Sequence, residues 1–321
     1  SSDEDAAELL KRSQTKPTAL PLVILADGTI LENPTSEQIA SILGMMSEPS
    51  RNHYDVAVVG AGPSGLSTAV YAASEGLTVA VCDARSFGGQ AGASARIENY
   101  FGFPTGISGF ALTARAYSQA QKFGAEMMIP TEVKSLDCTR PQGYFVLKTA
   151  DGHDVRARSI VLASGAYYRR PDIAGLKDLE GRGVWYWASP IEANLCKDQD
   201  IYLVGGGNSA GQAVVYLASH ARSVQMLVRG ESLAASMSSY LIDRIQSAPN
   251  VTMHYNTEID RLESDGSGLA GLSLVDRTTG KKSHANTRNL FLFIGADPAT
   301  GWLAGCGVSL DQAGFVTTGA S

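Results

Sequence analysis

Short apolar runs, glycine turns and helix-forming stretches follow one another in a repeated order along this chain. Residues 54–59 and 78–83 are apolar runs that predict buried strands, and the small residues after Gly65 predict a helix between them. The same strand, glycine turn, helix and strand recur over residues 201–228. The pattern therefore predicts a duplicated βαβ arrangement built on parallel sheets.

The remaining runs complete an α/β interpretation. Residues 145–148 and 154–158 alternate around a turn and predict antiparallel strands, and residues 159–163 predict a buried strand. We expect two nested Rossmann-like domains that bind FAD and NAD(P), preceded by a separate N-terminal segment. The expected division is 1–50 for that segment, 51–167 for the first part of the FAD-binding domain, 168–289 for the NAD(P)-binding domain and 290–321 for the second part of the FAD-binding domain.

The N-terminal segment has a pattern of its own. Residues 21–25 and 29–31 predict a hairpin, and residues 37–43 predict a helix that Ser36 caps and Gly44 ends. This order resembles the second half of a thioredoxin-like fold, in which a cis-proline, here Pro21, precedes such a hairpin. The chain would then begin in mid-domain. The alternative is an N-terminal arm with a trans proline.

Composition narrows the classes of protein. The 321 residues are 44% apolar and 18% charged, which is typical of a soluble protein with more than one core. A net charge of −6 without a basic stripe argues against a nucleic-acid partner, and no apolar run approaches the ~20 residues that span a membrane. The four cysteines form no CxxC pair, and the five histidines have no ligand spacing, so we expect reduced thiols, a cytoplasmic location and no metal.

The first glycine turn carries the context of a dinucleotide site. Gly60 permits a tight turn, Gly62 lets the backbone approach a pyrophosphate, and Gly65 allows close packing of helix on strand. Asp83 ends the next strand at the position that accepts hydrogen bonds from a ribose. The helix start, at Pro63 and Ser64, offers main-chain N–H groups to the anion. The alternative is a close-packed turn without a ligand.

The second turn has the GxGxxA form. It comprises Gly205, Gly207 and Ala210, with Asn208 and Ser209 at the helix start. Arg229 lies at the tip of the following strand, where an arginine can pair with the 2′-phosphate of NADP. Glu231 could instead serve the ribose of NAD, and a solvated surface arginine is a third interpretation. The sequence favours NADP over NAD only weakly.

Several motifs in their order and spacing resemble the low-molecular-weight thioredoxin reductases over residues 53–321. The resemblance implies FAD in the first domain, a nicotinamide nucleotide on the inserted domain and a homodimer. It also implies cofactor contacts at Gly89, Gln90, Asn99, Ser164, Gly165 and Gly295. The N-terminal segment plus this body resembles a bacterial subgroup with a sensory or thioredoxin-like module ahead of the reductase. The motifs are residues 88–90, 97–102, 106–109, 163–166, 205–210 and 293–298.

Two departures from that family matter. Trp187 and Pro190 stand where the sulfurs of the family's CxxC would be, so transfer from flavin to a disulfide at this position is excluded. Cys196 is near but single, and we interpret it as a small buried apolar residue. Family members also continue beyond the position of Ser321 with a Gly-Asp motif that contacts the flavin. The FAD-binding domain is therefore expected to be truncated and to bind FAD weakly or not at all.

Three hypotheses follow for the electron acceptor. The first is a thioredoxin reductase-like enzyme whose disulfide lies in an N-terminal module. The second is reduction of ferredoxin, quinone or oxygen, and the third is a redox-sensing flavoprotein with little turnover. Hydride transfer from NAD(P)H to FAD requires no protein acid or base, and the resemblance implies domain linkers near 166–170 and 287–290.

Overall fold

The N-terminal part folds as predicted, except at the helix cap. In the computed structural model, which describes residues 21–25, 27–44 and 48–319, two short antiparallel strands form a hairpin. The helix after it is capped by Thr35, because the Thr35 hydroxyl accepts from the Gln38 N–H and the Gln38 side chain accepts from the Thr35 N–H. The predicted cap at Ser36 is therefore wrong by one residue. The elements are β1 (Leu22–Ile24), β2 (Ile30–Glu32) and α1 (Ser36–Ile42).

The predicted cis bond before Pro21 involves Leu20, which lies outside the described residues.

The first large sheet has six strands in the order β5-β4-β3-β8-β7-β6. The centre of its parallel half is apolar on both faces, because helices cover one face and a second apolar layer covers the other. The two strands predicted at 154–158 and 159–163 are one continuous strand. The elements are β3 (Tyr54–Val59), α2 (Pro63–Ser74), β4 (Val79–Cys82), α3 (Gly89–Gly92), α4 (Gly109–Lys122), β5 (Glu126–Met128), β6 (Val133–Asp137), a 3-10 helix (Pro141–Gly143), β7 (Phe145–Thr149) and β8 (Asp154–Leu162).

The second large sheet is all parallel, with the order β10-β17-β11-β12-β13, and an antiparallel meander of β14, β15 and β16 packs beside it. The elements are β9 (Ala166–Tyr168), α5 (Leu176–Leu179), β10 (Val184–Trp185), α6 (Pro190–Leu195), β11 (Asp200–Val204), α7 (Asn208–Ala218), β12 (Ser223–Leu227), α8 (Ser239–Ser247), β13 (Val251–His254), β14 (Thr257–Ser264), β15 (Leu269–Asp276), β16 (Lys282–Asn286), β17 (Leu290–Leu292), β18 (Ala296–Pro298) and a 3-10 helix (Gly301–Leu303).

One predicted boundary and one predicted linker are wrong. Strand β17 lies between β10 and β11, and its three residues are at most 1% exposed, so it belongs to the second sheet. The start of the second part at 290 therefore comes too early, and residues 287–290 are not a linker. The chain leaves the second sheet after β17, and β18 pairs with β9 where the two connections cross. Beyond that crossing, Leu303 packs into the core of the first sheet.

Both glycine turns lie at equivalent places in their sheets. Strand β3 has parallel neighbours β4 and β8, and strand β11 has parallel neighbours β12 and β17. The chain leaves each central strand at the edge where the carboxyl ends of the parallel strands meet. This is the position at which open α/β sheets bind dinucleotides.

Candidate functional site

Steric contacts explain the glycines of the first turn. Gly60 has φ +108°, and a Cβ there would lie 2.1 Å from the Ala163 carbonyl oxygen. A Cβ on Gly65 would lie 1.8 Å from the Gly60 carbonyl oxygen, so Gly65 is required for packing the helix on the turn. At Gly62 the nearest atom to a Cβ would be 3.8 Å away, on Gly89. The fold itself therefore leaves room for a Cβ at Gly62.

Helix α2 begins at this turn without a side-chain cap. Its N-cap residue, Gly62, has no side chain, and Pro63 follows as the first helical residue. The first N–H groups of the helix therefore have no side-chain acceptor and point out of the turn with the positive end of the helix dipole. This arrangement is suited to binding a phosphate.

A cleft of about 910 Å³ opens at the first turn. Nine of the predicted cofactor residues line it, and further parts of its wall come from Thr131, Val133, Gly301 and Trp302. These wall residues are brought to the cleft from later parts of the chain. The nine are Gly60, Gly62, Pro63, Ser64, Asp83, Gly89, Gln90, Ser164 and Gly165.

Asp83 has a structural role as well as a place in the cleft. One carboxylate oxygen accepts from the Ala61 N–H at 2.8 Å, and the other accepts from the Arg85 N–H at 2.9 Å. The carboxylate thus ties the tip of β4 to the glycine turn. Its half-buried position on the cleft wall leaves it beside any ligand of the turn.

The segment at Gly89 and Gln90 closes the far side of the first turn. Gly89 has φ +54°, and a Cβ there would lie 3.1 Å from the Gly62 Cα, so two main chains approach closely. The Gln90 amide nitrogen donates to the Ala166 carbonyl at 2.5 Å. This bond joins the start of α3 to β9, where the chain crosses to the second sheet.

Besides the residues of the second turn and Arg229, three predicted cofactor residues lie outside the lining of the large cleft. Gly65 is beneath the turn, as described above. Asn99 is on an exposed loop outside the lining of the cleft, and its predicted contact with the cofactor stays a prediction. Gly295, with φ +99°, accepts through its carbonyl from the Arg169 N–H at 3.0 Å and belongs to the crossing strands. The left-handed backbone at position 295 explains why a glycine is found there.

The second glycine turn is built like the first. A Cβ on Gly205 would lie 2.6 Å from the Phe293 carbonyl oxygen and 2.7 Å from the Ala210 Cβ, which explains the small residues at both positions. Gly207 is the N-cap of α7 and provides no side-chain cap. The Asn208 side-chain oxygen accepts from the Ser238 N–H at 2.7 Å. A later segment therefore fixes the turn from outside.

Two arginines from different parts of the chain meet at the tip of β12. Arg229 is exposed, and its carbonyl accepts from Nη1 of Arg277 at 3.2 Å. The Arg277 Nε is in turn 3.2 Å from an oxygen of Glu258. No local sequence pattern marks Arg277, because this residue follows β15 and is brought to Arg229 only by the meander.

A smaller cavity of about 310 Å³ lies between the two large sheets. It is lined on one side by the segment that includes Arg96 and on the other by Ser209 and Tyr216 of α7. An ion pair between Glu98 and Arg244 crosses this boundary. The small cavity and the large cleft share Gln90, Ala93, Tyr168 and Trp187.

Trp187 thus lies at the junction of the two cavities, and its side chain is 43% exposed. The Trp187 Nε1 donates to Glu192 at 2.9 Å. Pro190 is the first residue of α6, whose cap is Ser189. Of the two positions that we expect to correspond to the family's sulfurs, one is therefore a hydrogen-bonded indole and the other the first residue of a helix.

The two cysteines in the cores of the large sheets have thiols of low reactivity. Cys82 and Cys196 are fully buried, and burial raises the pKa of the Cys82 thiol to about 12 and that of the Cys196 thiol to about 11. The interpretation of Cys196 as a small buried residue is confirmed. In the described ranges, no cluster of His, Cys, Asp or Glu side chains is arranged to hold a metal ion. No helix of the described segments has the length and apolarity needed to cross a membrane.

The fold and the paired turns define a class of protein with two dinucleotide sites. The chain belongs to the pyridine nucleotide-disulphide oxidoreductase family, whose model matches residues 54–320. It is 35% identical over 268 residues to NADPH-dependent thioredoxin reductase 3 of Arabidopsis thaliana, with 82% of this chain and 49% of that protein covered. It is 33% identical over 267 residues to the thioredoxin reductase of Mycolicibacterium smegmatis, with 83% of each covered.

A solved structure agrees with these relatives. The thioredoxin reductase of T. acidophilum matches with a TM-score of 0.77 at 28% identity, over 83% of this chain and 84% of that one. The chain spans about half the length of the Arabidopsis relative. The predicted α/β fold and the predicted class, an FAD-dependent NAD(P)H oxidoreductase similar to the thioredoxin reductases, are confirmed.

Proposed function

We propose that this chain oxidises NADPH through FAD and delivers the electrons to an acceptor other than a CxxC disulfide of its own. The observation that carries the proposal is Trp187 at the junction of the two cavities, where the resemblance implies a redox sulfur. An indole forms neither a thiolate nor a disulfide. The acceptor is therefore an external molecule or a disulfide outside this segment.

The first turn and its cleft fit FAD. The uncapped start of α2 suits the pyrophosphate, and the close approach of Gly62 and Gly89 leaves main chain, without side chains, facing it. The half-buried Asp83 suits the adenosine ribose. When bound, FAD supplies the capacity to accept a hydride from a nicotinamide and to pass two electrons onward.

The chain's own residues position and shield the reaction. Gln90 is anchored on Ala166, so the wall between the glycine turn and β9 is fixed before a ligand arrives. Trp187 covers the junction and reduces the access of water. Hydride transfer from a nicotinamide to a flavin needs no protein acid or base, so the reaction depends on this positioning and shielding.

We propose NADPH over NADH as the donor. Arg229 and Arg277 bring two guanidinium groups to the tip of β12, where the 2′-phosphate of NADP would lie next to the second turn. Glu258 is paired with Arg277 and does not stand alone there. The alternative is NAD, with the exposed Glu231 as its ribose partner.

Rapid reduction under anaerobic conditions tests this function. The FAD-loaded chain is mixed with NADPH or NADH, and the bleaching of flavin absorbance is followed. We expect bleaching near the typical turnover of about 10 per second, faster with NADPH. Bleaching slower than about one event per minute with both donors would favour a redox sensor. Subsequent addition of oxidised thioredoxin, ferredoxin, a quinone or oxygen then identifies the class of acceptor.

The thioredoxin-like module and the homodimer belong to this proposal through the resemblance alone, and the cytoplasmic location belongs to it through the scattered, unpaired cysteines of the sequence.

A further inference from the structure

Two cysteines distant in sequence meet on the first unit of the fold. Cys138 follows β6 by one residue, and Cys306 follows the 3-10 helix Gly301–Leu303. That 3-10 helix packs against β6. Burial and then the neighbouring Cys306 side chain raise the pKa of the Cys138 thiol, and both cysteines pack against the apolar cluster that includes Leu303. The two thiols are therefore neighbours where the 3-10 helix meets β6.

Their surroundings differ from those of the other two cysteines. Cys138 and Cys306 are half-buried at the border of the apolar layer that contains Leu303, so small molecules in solvent can reach them. Cys82 and Cys196 are fully buried, each without a cysteine neighbour. The chain therefore contains one pair of neighbouring, accessible thiols. The two buried thiols serve as controls for nonspecific oxidation.

The backbone around Cys306 can adjust. Gly305 and Gly307 flank it with φ values of +79° and +85°, and a Cβ at either position would meet no atom within 4 Å. A disulfide requires an S–S distance of about 2.05 Å and a fixed dihedral angle. Open glycines on both sides allow the small movement of the loop that this closure needs.

We propose that Cys138 and Cys306 are a redox modification site, which closes to a reversible disulfide with a low-molecular-weight disulfide such as glutathione disulfide as the oxidant. This site is separate from the segment at Trp187 and from every assignment made above. Its formation does not depend on the proposed hydride transfer.

The exchange balances in two steps. The Cys306 thiolate attacks one sulfur of glutathione disulfide, which forms a mixed disulfide and releases one glutathione thiolate. The Cys138 thiolate then attacks the Cys306 sulfur and releases the second glutathione. The two protons of the cysteines end on the two glutathiones, the cysteines are oxidised by two electrons, and the reagent is reduced by two.

The order of the steps follows from the environment of Cys138. Burial, then the neighbouring Cys306 and the charge of Asp137, raise the pKa of the Cys138 thiol. Less of it is thiolate at neutral pH, so it is the poorer first nucleophile. Once Cys306 carries glutathione, the neighbouring Cys138 completes the closure.

Closure would connect two walls of the large cleft. The 3-10 helix carries Gly301 and Trp302, and β6 begins at Val133, all of which line the cleft. A covalent bond between these segments restricts the unfolded chain and should stabilise the protein. Oxidation is therefore expected to raise the Tm.

Thiol counting with peptide mapping tests the site. The full chain is incubated with glutathione disulfide, freed of reagent, denatured, alkylated and analysed by mass spectrometry. We expect the alkylated thiols to fall from four to two, a peptide joining Cys138 to Cys306, and recovery of four thiols with dithiothreitol. The Tm of the oxidised chain should rise by several degrees.

Variants separate this site from nonspecific oxidation. Cys82→Ser should still form the joined peptide, whereas Cys306→Ser should form none and show no rise in Tm on oxidation. Four free thiols after treatment, a link between other cysteines, or a stable glutathione adduct on Cys306 without closure would each overturn the proposal. The Tm of wild-type chain before and after oxidation gives a readout that does not depend on the folding of any variant.

Discussion

The indole Nε1 of Trp187 donates a hydrogen bond to Oε1 of Glu192 at 2.9 Å. The other oxygen of Glu192 accepts from the Ser189 N–H at 3.0 Å and from the Ser189 hydroxyl. Glu192 is only 6% exposed, so a buried carboxylate with three donors orients the tryptophan. The segment that we expect to correspond to the redox-active part of thioredoxin reductases thus orients the aromatic ring of Trp187.

Removal of that ring should expose the junction between the cavities. In Trp187→Ala, oxygen and water gain access to the site where electrons leave, so we expect the oxidation of NADPH by oxygen to rise several-fold. The rate is measured as oxygen consumption by the FAD-loaded chain. Tyr71→Ala is the control, because Tyr71 is exposed on α2 and lines neither cavity. An unchanged rate, or an equal rise in the control, would contradict this role.

Two glycines of the first turn should respond differently to the same substitution. In Gly62→Ala the added methyl meets no atom closer than 3.8 Å, so the fold should survive while the affinity for FAD falls by about tenfold or more. In Gly65→Ala the methyl would lie 1.8 Å from the Gly60 oxygen, so the free energy of unfolding should fall by about 1–3 kcal/mol or more.

The comparison uses urea unfolding and FAD titration on both glycine variants. If Gly62→Ala destabilised the chain as much as Gly65→Ala does, the assignment of Gly62 to the ligand would be wrong.

The two arginines at the tip of β12 should determine the choice of donor. A hydrogen bond to a charged group contributes about 1.5–3 kcal/mol, so Arg229→Ala and Arg277→Ala should each raise KM for NADPH by about tenfold to a hundredfold. KM for NADH should change little, since NADH has no 2′-phosphate. Arg261→Ala is the control, because its guanidinium is on β14 and pairs with Glu263. Equal effects on both donors would argue against a 2′-phosphate contact.

His254 should make stability depend on pH. Its Nε2 is 2.7 Å from the Gln225 side-chain oxygen, and burial lowers the pKa of His254 below its usual value. Below about pH 6.5 the unfolded chain therefore takes up a proton before the folded chain does, and the free energy of unfolding decreases as the pH falls. The stability that neutral, buried His254 contributes is complete above about pH 6.5. It is lost as the pH falls from there to the pKa of His254 in the folded chain.

His254→Gln should remove this part of the pH dependence. The measurement is urea unfolding at about pH 7.5 and about pH 5.5, compared between wild type and variant. The wild type should lose more stability on acidification than the variant. Parallel losses would mean that His254 is not the group responsible.

The features that the sequence predicted well depend on local patterns. The glycine turn at Gly60 was recognisable because an apolar strand, the glycine spacing and Asp83 lie within a short stretch. The hairpin before α1 was recognisable for the same reason. In both places residues close together in the sequence determine the backbone conformation, and contacts with distant segments are not needed to specify it.

The features that the sequence missed depend on contacts between distant segments. Arg277 meets Arg229, and Cys138 meets Cys306, only after sheets and meander have formed. The boundary at 290 failed because the short apolar run at residues 290–294 cannot be assigned to one sheet or the other from its pattern. Its place between β10 and β11 is decided by packing.

The proposed FAD site is tested by titrating the recombinant chain with FAD. Binding is monitored through visible absorbance and the quenching of flavin fluorescence. The central claim is that the turn at Gly60 and the cleft at Gln90 hold one FAD through main-chain groups. We expect excess FAD to turn the protein yellow, with one FAD bound per chain at saturation even if the affinity is weak. A protein that stays colourless after incubation with excess FAD would contradict it, and the proposed oxidation of NADPH through FAD would fail with it.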